Sequence, residues 1–150
     1  MWKLRTMYGD AEARLVEHLH RDARAREEWE REFKLTGDPR VLPGIGTLLR
    51  RWSLDECPQL WNVLRGEMSL VGPRALPAYH LQAFGPAFRA RRQRVRPGMT
   101  GMWQVMSRGT GAVRTQEALD GYYISNWSIW MDIFLLAKTV QAVMSGRGAR

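Results

Sequence analysis

Two adjacent carboxylates, Asp55 and Glu56, stand between Arg50-Arg51 and Arg74 in a region with few other acids. Such a pair, flanked by guanidinium groups, suits phosphate chemistry. One carboxylate can attack phosphorus or help hold a metal ion, and arginines neutralise phosphate oxygens. The same residues admit a structural reading. Ser53-Leu54-Asp55-Glu56 has the spacing of a capping box, and acids in a first helical turn interact well with the helix dipole. Pro58 argues against a helix that starts at Ser53, because its ring and missing N–H would then fall inside the helix. A helix beginning at Cys57 or Pro58 leaves both acids on its approach. Arg50 and Arg74 are the candidate phosphate clamps, and the Gly72-Pro73 corner fixes the backbone direction of Arg74. Arg51 reads as surface.

The elements that must position these groups are mostly helical. Residues 10–35 contain Ala, Glu, Arg and Leu with no Gly or Pro, and predict one exposed helix. Asp10 is its candidate N-cap, and Leu15, Leu19, Trp29 and Phe33 its narrow apolar stripe. Gly37-Asp38-Pro39 breaks it. A short helix is predicted over 45–51, another from Pro58 to Gly66, and a third over 79–94 with an interruption at Gly85-Pro86. Residues 97–101 predict a loop leading into an extended piece at 102–106. Helices are predicted over 115–124 and 128–144, the second amphipathic. The fold class is mainly α, with minor strand content, as one domain over 1–150.

Composition narrows the function. The 150 residues carry a net charge of +8, 45% hydrophobic and 25% charged residues, which are values of a folded chain. Residues 1–34 hold eight basic and eight acidic groups, so the excess lies downstream. Five arginines crowd into 89–96 and would attract anionic partners. The single Cys57 excludes an intramolecular disulfide framework. The apolar run over 124–144 is interrupted by Asp132 and Lys138 and reads as a helix against a core or on a membrane surface, not as a span. His18, His20 and His80 form no ligand constellation. There is no P-loop, GxGxxG, helix-turn-helix, zinc-finger or RNP signature.

The stretch SLDECPQLWNVLRGEMSLVGPR (53–74) resembles the core signature of the bacterial sugar transferases. These are the monotopic phosphoglycosyl transferases that begin exopolysaccharide, capsule and O-antigen assembly. KLRTM (3–7), DPR (38–40), RPGMTGMWQV (96–105) and DGYYISNWSIWMD (120–132) agree in the same order. Ser107 stands where the family pattern usually has Gly, and Ala75 where it has Pro.

The resemblance implies a phosphoglycosyl transferase that moves sugar-1-phosphate from a UDP-sugar to undecaprenyl phosphate through a covalent aspartyl-phosphosugar. It implies Asp55 as nucleophile, with Glu56 acting beside it and both holding Mg2+. It places Lys3 and Arg5 near the site, and Arg50 and Arg74 on phosphate. Arg40, Gln104 and Arg108 are further candidate contacts, each with a structural alternative. Trp127 and Trp130 suit either a membrane interface or the core. The expected location is the cytoplasmic face of the bacterial inner membrane, with no nucleic acid as partner. The family's domain usually follows a hydrophobic re-entrant helix, and the sequence starts at Met1 without one; weak, peripheral membrane attachment is therefore expected. An inactive remnant, or a basic domain that binds nucleic acid or anionic surfaces, are the alternatives.

Overall fold

The computed structural model describes residues 1–107 and 113–144. The described residues form nine α-helices and two short strands. The helices are α1 (Ala11–Arg21), α2 (Ala23–Glu32), α3 (Ile45–Arg51), α4 (Gln59–Leu64), α5 (Ala78–Gln82), α6 (Pro86–Arg92), α7 (Met102–Met106), α8 (Val113–Ser125) and α9 (Ile129–Met144). The strands are β1 (Ser69–Val71) and β2 (Gly98–Thr100), which pair in parallel with Ser69 opposite Gly98 and Val71 opposite Thr100. The mainly helical class read from the sequence is the observed one.

The long helix predicted over 10–35 is two helices. Asp22 has extended backbone, and its side chain accepts hydrogen bonds from the Arg24 and Ala25 amides, so it caps α2. A capping carboxylate competes with helix continuation. Asp10 holds the N-cap position of α1 as predicted, but its side chain makes no capping bond and its carboxylate pairs with Arg14 at 2.9 Å instead. Phe33 closes α2 in the left-handed region, before the predicted Gly37 break. Trp29 and Phe33 then join Tyr79, His80, Phe84 and Phe88 in an aromatic ladder that ties α2 to α5 and α6.

The order of loop and strand around Gly98 also differs from the prediction. The extended piece is Gly98–Thr100, and Met102–Met106 is helical. The reason is a close approach that only glycine permits. A Cβ on Gly72 would lie 2.8 Å from the Arg96 carbonyl oxygen, and one on Gly98 would overlap the Gly72 backbone. Pairing therefore occurs where the glycines are, and the residues after Gly101 are free to turn into α7.

Val71, Tyr123 and Leu135 form the buried core, with Met102, Val105, Ile124, Met131 and Leu136 packed against it. Only Leu135 of α9 is fully buried, while Ile129, Trp130, Ile133 and Phe134 are exposed. Trp127 and Trp130 are thus surface residues, not core. No helix among the described residues is long and apolar enough to cross a membrane.

Candidate active site

The two acids sit on a single 3-10 turn, Leu54–Glu56, between α3 and α4. Ser53 reverses the chain in left-handed conformation, with φ of 55°. Its side chain makes no capping bond to the turn, so the capping-box reading fails. Pro58 sits at the N-cap of α4, which leaves Asp55 and Glu56 ahead of that helix. Asp55 is only 3% exposed, which calls for a partner of opposite charge.

That partner comes from the start of the chain. The Trp2 amide donates to Asn62 Oδ1, the Leu4 amide to the Asp55 carbonyl and the Tyr8 amide to the Arg40 carbonyl, and the Leu42 amide donates to the Thr6 carbonyl. This lacing holds the segment against α4 and places Lys3 Nζ 2.9 Å from Asp55 Oδ2 and 3.4 Å from Glu56 Oε1. Arg74 donates to the same Glu56 oxygen at 2.5 Å. Burial alone would raise the Glu56 carboxyl, but Arg74 and Lys3 outweigh it and hold the group below the ordinary carboxylate value.

Arg50 donates from Nε to Thr6 Oγ1 at 3.0 Å and forms no ion pair among the described residues. Its guanidinium pKa is lowered by burial, reinforced by the charges of Arg40 and Arg74 and opposed by Asp38 and Asp55. Such a group gains from an added anion. Arg40 is differently placed. Asp38 accepts from its backbone amide and grips its guanidinium with both oxygens, at 2.6 to 3.0 Å, over the face of Trp29. The Asp38-Pro39-Arg40 turn is closed locally by Asp38, and Arg40 also lies on the wall of the neighbouring cavity.

These groups open into one cavity of about 750 Å³. Its wall includes Lys3, Arg40, Arg50, Asp55, Glu56, Arg74 and Gln104, seven residues singled out in the sequence. Five cationic side chains (Lys34 and the four just named) face three carboxylates there, so the wall carries excess positive charge. Elsewhere it is mostly apolar or aromatic, with Phe33, Tyr79, Leu60, Leu70, Leu136 and Val143 among others, and a few hydroxyls such as Thr100 and Thr139. Gln104 is anchored through its amide nitrogen to the Met99 carbonyl at 2.9 Å, a structural bond beside its place in the wall. Arg5 is exposed and outside the wall, because the buried Thr6 takes the inward position. Arg108 lies outside the described residues.

Phe33 and Tyr79 also line the cavity, and the sequence marks them only as helix residues. Arg92 and Asp120, which lie behind Arg74 rather than in the cavity, are not legible from the sequence either. There Arg92 belongs to the basic cluster, and nothing in its spacing marks it as different. It is buried and lies 3.5 Å from Asp120, while Arg91 donates to Ser125 Oγ. The cluster at 89–96 therefore does not face solvent as a block of five.

A paired-acid turn and cationic side chains from three chain segments thus line one cavity whose wall carries excess positive charge. The profile of the bacterial sugar transferases matches residues 1–146, and the chain belongs to that family. It is 44% identical, over 98% of its length, to a "UDP-galactose-lipid carrier transferase" of Erwinia amylovora, of which it covers 30%. It is 42% identical over 99% of its length to an "undecaprenyl-phosphate galactose phosphotransferase" of Salmonella typhimurium, covering 31% of that protein. It is also 42% identical over 98% of its length to the exopolysaccharide production protein ExoY of Sinorhizobium fredii, covering 64%. The chain thus spans about a third of the first two relatives and under two thirds of the third.

Proposed function

We propose that this chain is the catalytic part of a phosphoglycosyl transferase that moves sugar-1-phosphate from a UDP-sugar to undecaprenyl phosphate. The observation that carries this reading is the pairing of Lys3 and Arg74 with the Asp55–Glu56 turn, with Arg50 on the wall of the same cavity. The names of the Erwinia and Salmonella relatives, a lipid carrier transferase and a galactose phosphotransferase, support it.

In the proposed reaction an Asp55 carboxylate oxygen attacks the sugar-bearing phosphorus. The bond from that phosphorus to the UMP oxygen breaks, and UMP departs with the electron pair. An oxygen of undecaprenyl phosphate then attacks the same phosphorus and releases Asp55. Covalent catalysis of this kind splits one transfer into two easier steps. Attack by an anion on a diphosphate is opposed by charge. Lys3 offsets the charge on Asp55, while Arg50 and Arg74 bind phosphate oxygens. Glu56 orients Arg74 and Lys3.

Mg2+ fits the donor set. Asp55 and Glu56 are adjacent on the cavity wall, the third carboxylate there, Asp38, is held by Arg40, and no group of three or more metal-ligating side chains occurs among the described residues. Mg2+ commonly takes one or two carboxylates and fills the rest of its shell with phosphate oxygens and water. Asp55 and Glu56 would hold it, and when bound it would neutralise phosphate charge. Release of UMP from a panel of UDP-sugars, with Mg2+ and undecaprenyl phosphate, tests the reading. No release with any sugar would leave the chain a remnant or an anion-binding domain.

A further inference from the structure

The Gly72-Pro73-Arg74 corner is pinned at successive peptide groups. Tyr123 Oη donates to the Val71 carbonyl at 3.2 Å, the Gly72 amide to the Thr100 carbonyl at 2.8 Å, and the Gly98 amide to the Pro73 carbonyl at 3.0 Å. These anchors belong to the strand pair and its core. The last one does not. The Arg74 carbonyl, where the chain leaves the strand pair, accepts from Nη2 of Arg92 at 2.5 Å. Arg92 reaches it from the end of α6, with Asp120 of α8 behind it and Phe84 beneath its guanidinium.

Arg92 and Asp120 are 9% and 1% exposed. Burying such a pair costs desolvation that the mutual attraction often fails to recover, so stability alone is a poor reason for it. Arg92 Nη1 and Asp120 Oδ2 have no hydrogen-bond partner among the described residues, so the pair is not a saturated structural network there. What the pair does achieve is a charged donor on one carbonyl. That carbonyl belongs to the residue whose side chain grips Glu56 and lines the cavity.

We propose that Arg92, seated on Asp120, is a positioning residue for phosphate binding. By fixing the Arg74 carbonyl it sets the direction in which the Arg74 guanidinium leaves the backbone. The assignment rests on the reading of Arg74 as a phosphate clamp. A clamp displaced by about an ångström loses much of its effect, on the order of tenfold or more in rate.

The test uses Arg92→Lys, whose stem is one bond shorter, and Asp120→Asn, which keeps the shape and removes the charge behind Arg92. Each is made in the whole chain and melted. Steady-state kinetics with the UDP-sugar are then combined with calorimetric UDP affinity, with and without Arg74→Ala. The expected result is a folded Arg92→Lys protein with kcat/KM and UDP affinity each down about tenfold. In the Arg74→Ala background the same change should alter UDP affinity less than about twofold, because the residue it steers is gone. Full activity in Arg92→Lys overturns the proposal, as does an equal loss of UDP affinity with and without Arg74. If Arg92→Lys does not fold, Asp120→Asn carries the same comparison. If neither folds, the pair is a pillar of the fold and the positioning role is wrong. Unmodified chain that binds UDP but releases no UMP would instead count against the transferase reading, and the affinity comparison would still judge Arg92.

Discussion

Arg74→Lys separates a phosphate clamp from a surface cation, because it keeps the charge and removes the fork. In the folded chain the guanidinium makes a charge-assisted bond to Glu56 and has its remaining donors available at the cavity wall. Bonds to charged groups contribute roughly 1.5–3 kcal/mol when made in a site. At about 1.4 kcal/mol per factor of ten, this is about 10- to 150-fold in kcat/KM. The Arg74 side chain is 35% exposed, so solvent screening favours the lower part, about 10- to 50-fold. Stability should change by less than about 1 kcal/mol, since Glu56 keeps Lys3 at 3.4 Å. The assay is UMP release from the UDP-sugar with Mg2+ and undecaprenyl phosphate, alongside thermal melts. Arg51→Lys, at an exposed position outside the cavity wall, is the control and should leave both unchanged. A kcat/KM for Arg74→Lys within about twofold of the unmodified chain would refute the clamp.

Asp55→Asn should abolish transfer while the protein melts within a few degrees of the unmodified chain, because Asn keeps the shape of the buried side chain; near-normal turnover would remove Asp55 from the mechanism. His80 is held down to about 4 by burial and by the Arg92 charge, so the folded chain resists protonating it. Its contribution to stability is complete above the ordinary histidine value and is lost as pH falls toward about 4. His80→Gln should therefore lose less melting temperature between pH 7 and pH 5 than the unmodified chain, and equal slopes would contradict this. Asp120, pushed up to about 6 by burial against the pull of Arg92, acts in the opposite sense and is present in both proteins. On anionic vesicles the chain should float at low salt and be released at high salt. Arg89, Arg91, Arg94 and Arg96 remain for the surface at about 1 kcal/mol each, Arg92 being buried. Binding that resists salt and needs detergent would instead assign attachment to the exposed Trp127, Trp130, Ile133 and Phe134.

The sequence by itself determined the family. Asp55-Glu56, the flanking arginines and the ordered segments around them carry the resemblance that the family profile bears out over residues 1–146. It also determined the helical class and the glycine corners, which are local matters of pattern and backbone freedom. The tertiary structure decided everything that depends on residues far apart in the chain. Ser53 makes no capping bond from its left-handed turn, and the side chain of Asp22 caps its helix where that of Asp10 does not, because packing selects among local hydrogen bonds of similar strength. Lys3 reaches the acids, and Arg5 does not, only because the amides of residues 2, 4 and 8 and the carbonyl of residue 6 bond across the site. Five arginines at 89–96 look alike in sequence. Only the packing of α6 on α8 turns Arg92 inward, onto Asp120 and the Arg74 carbonyl, while its neighbours stay at the surface.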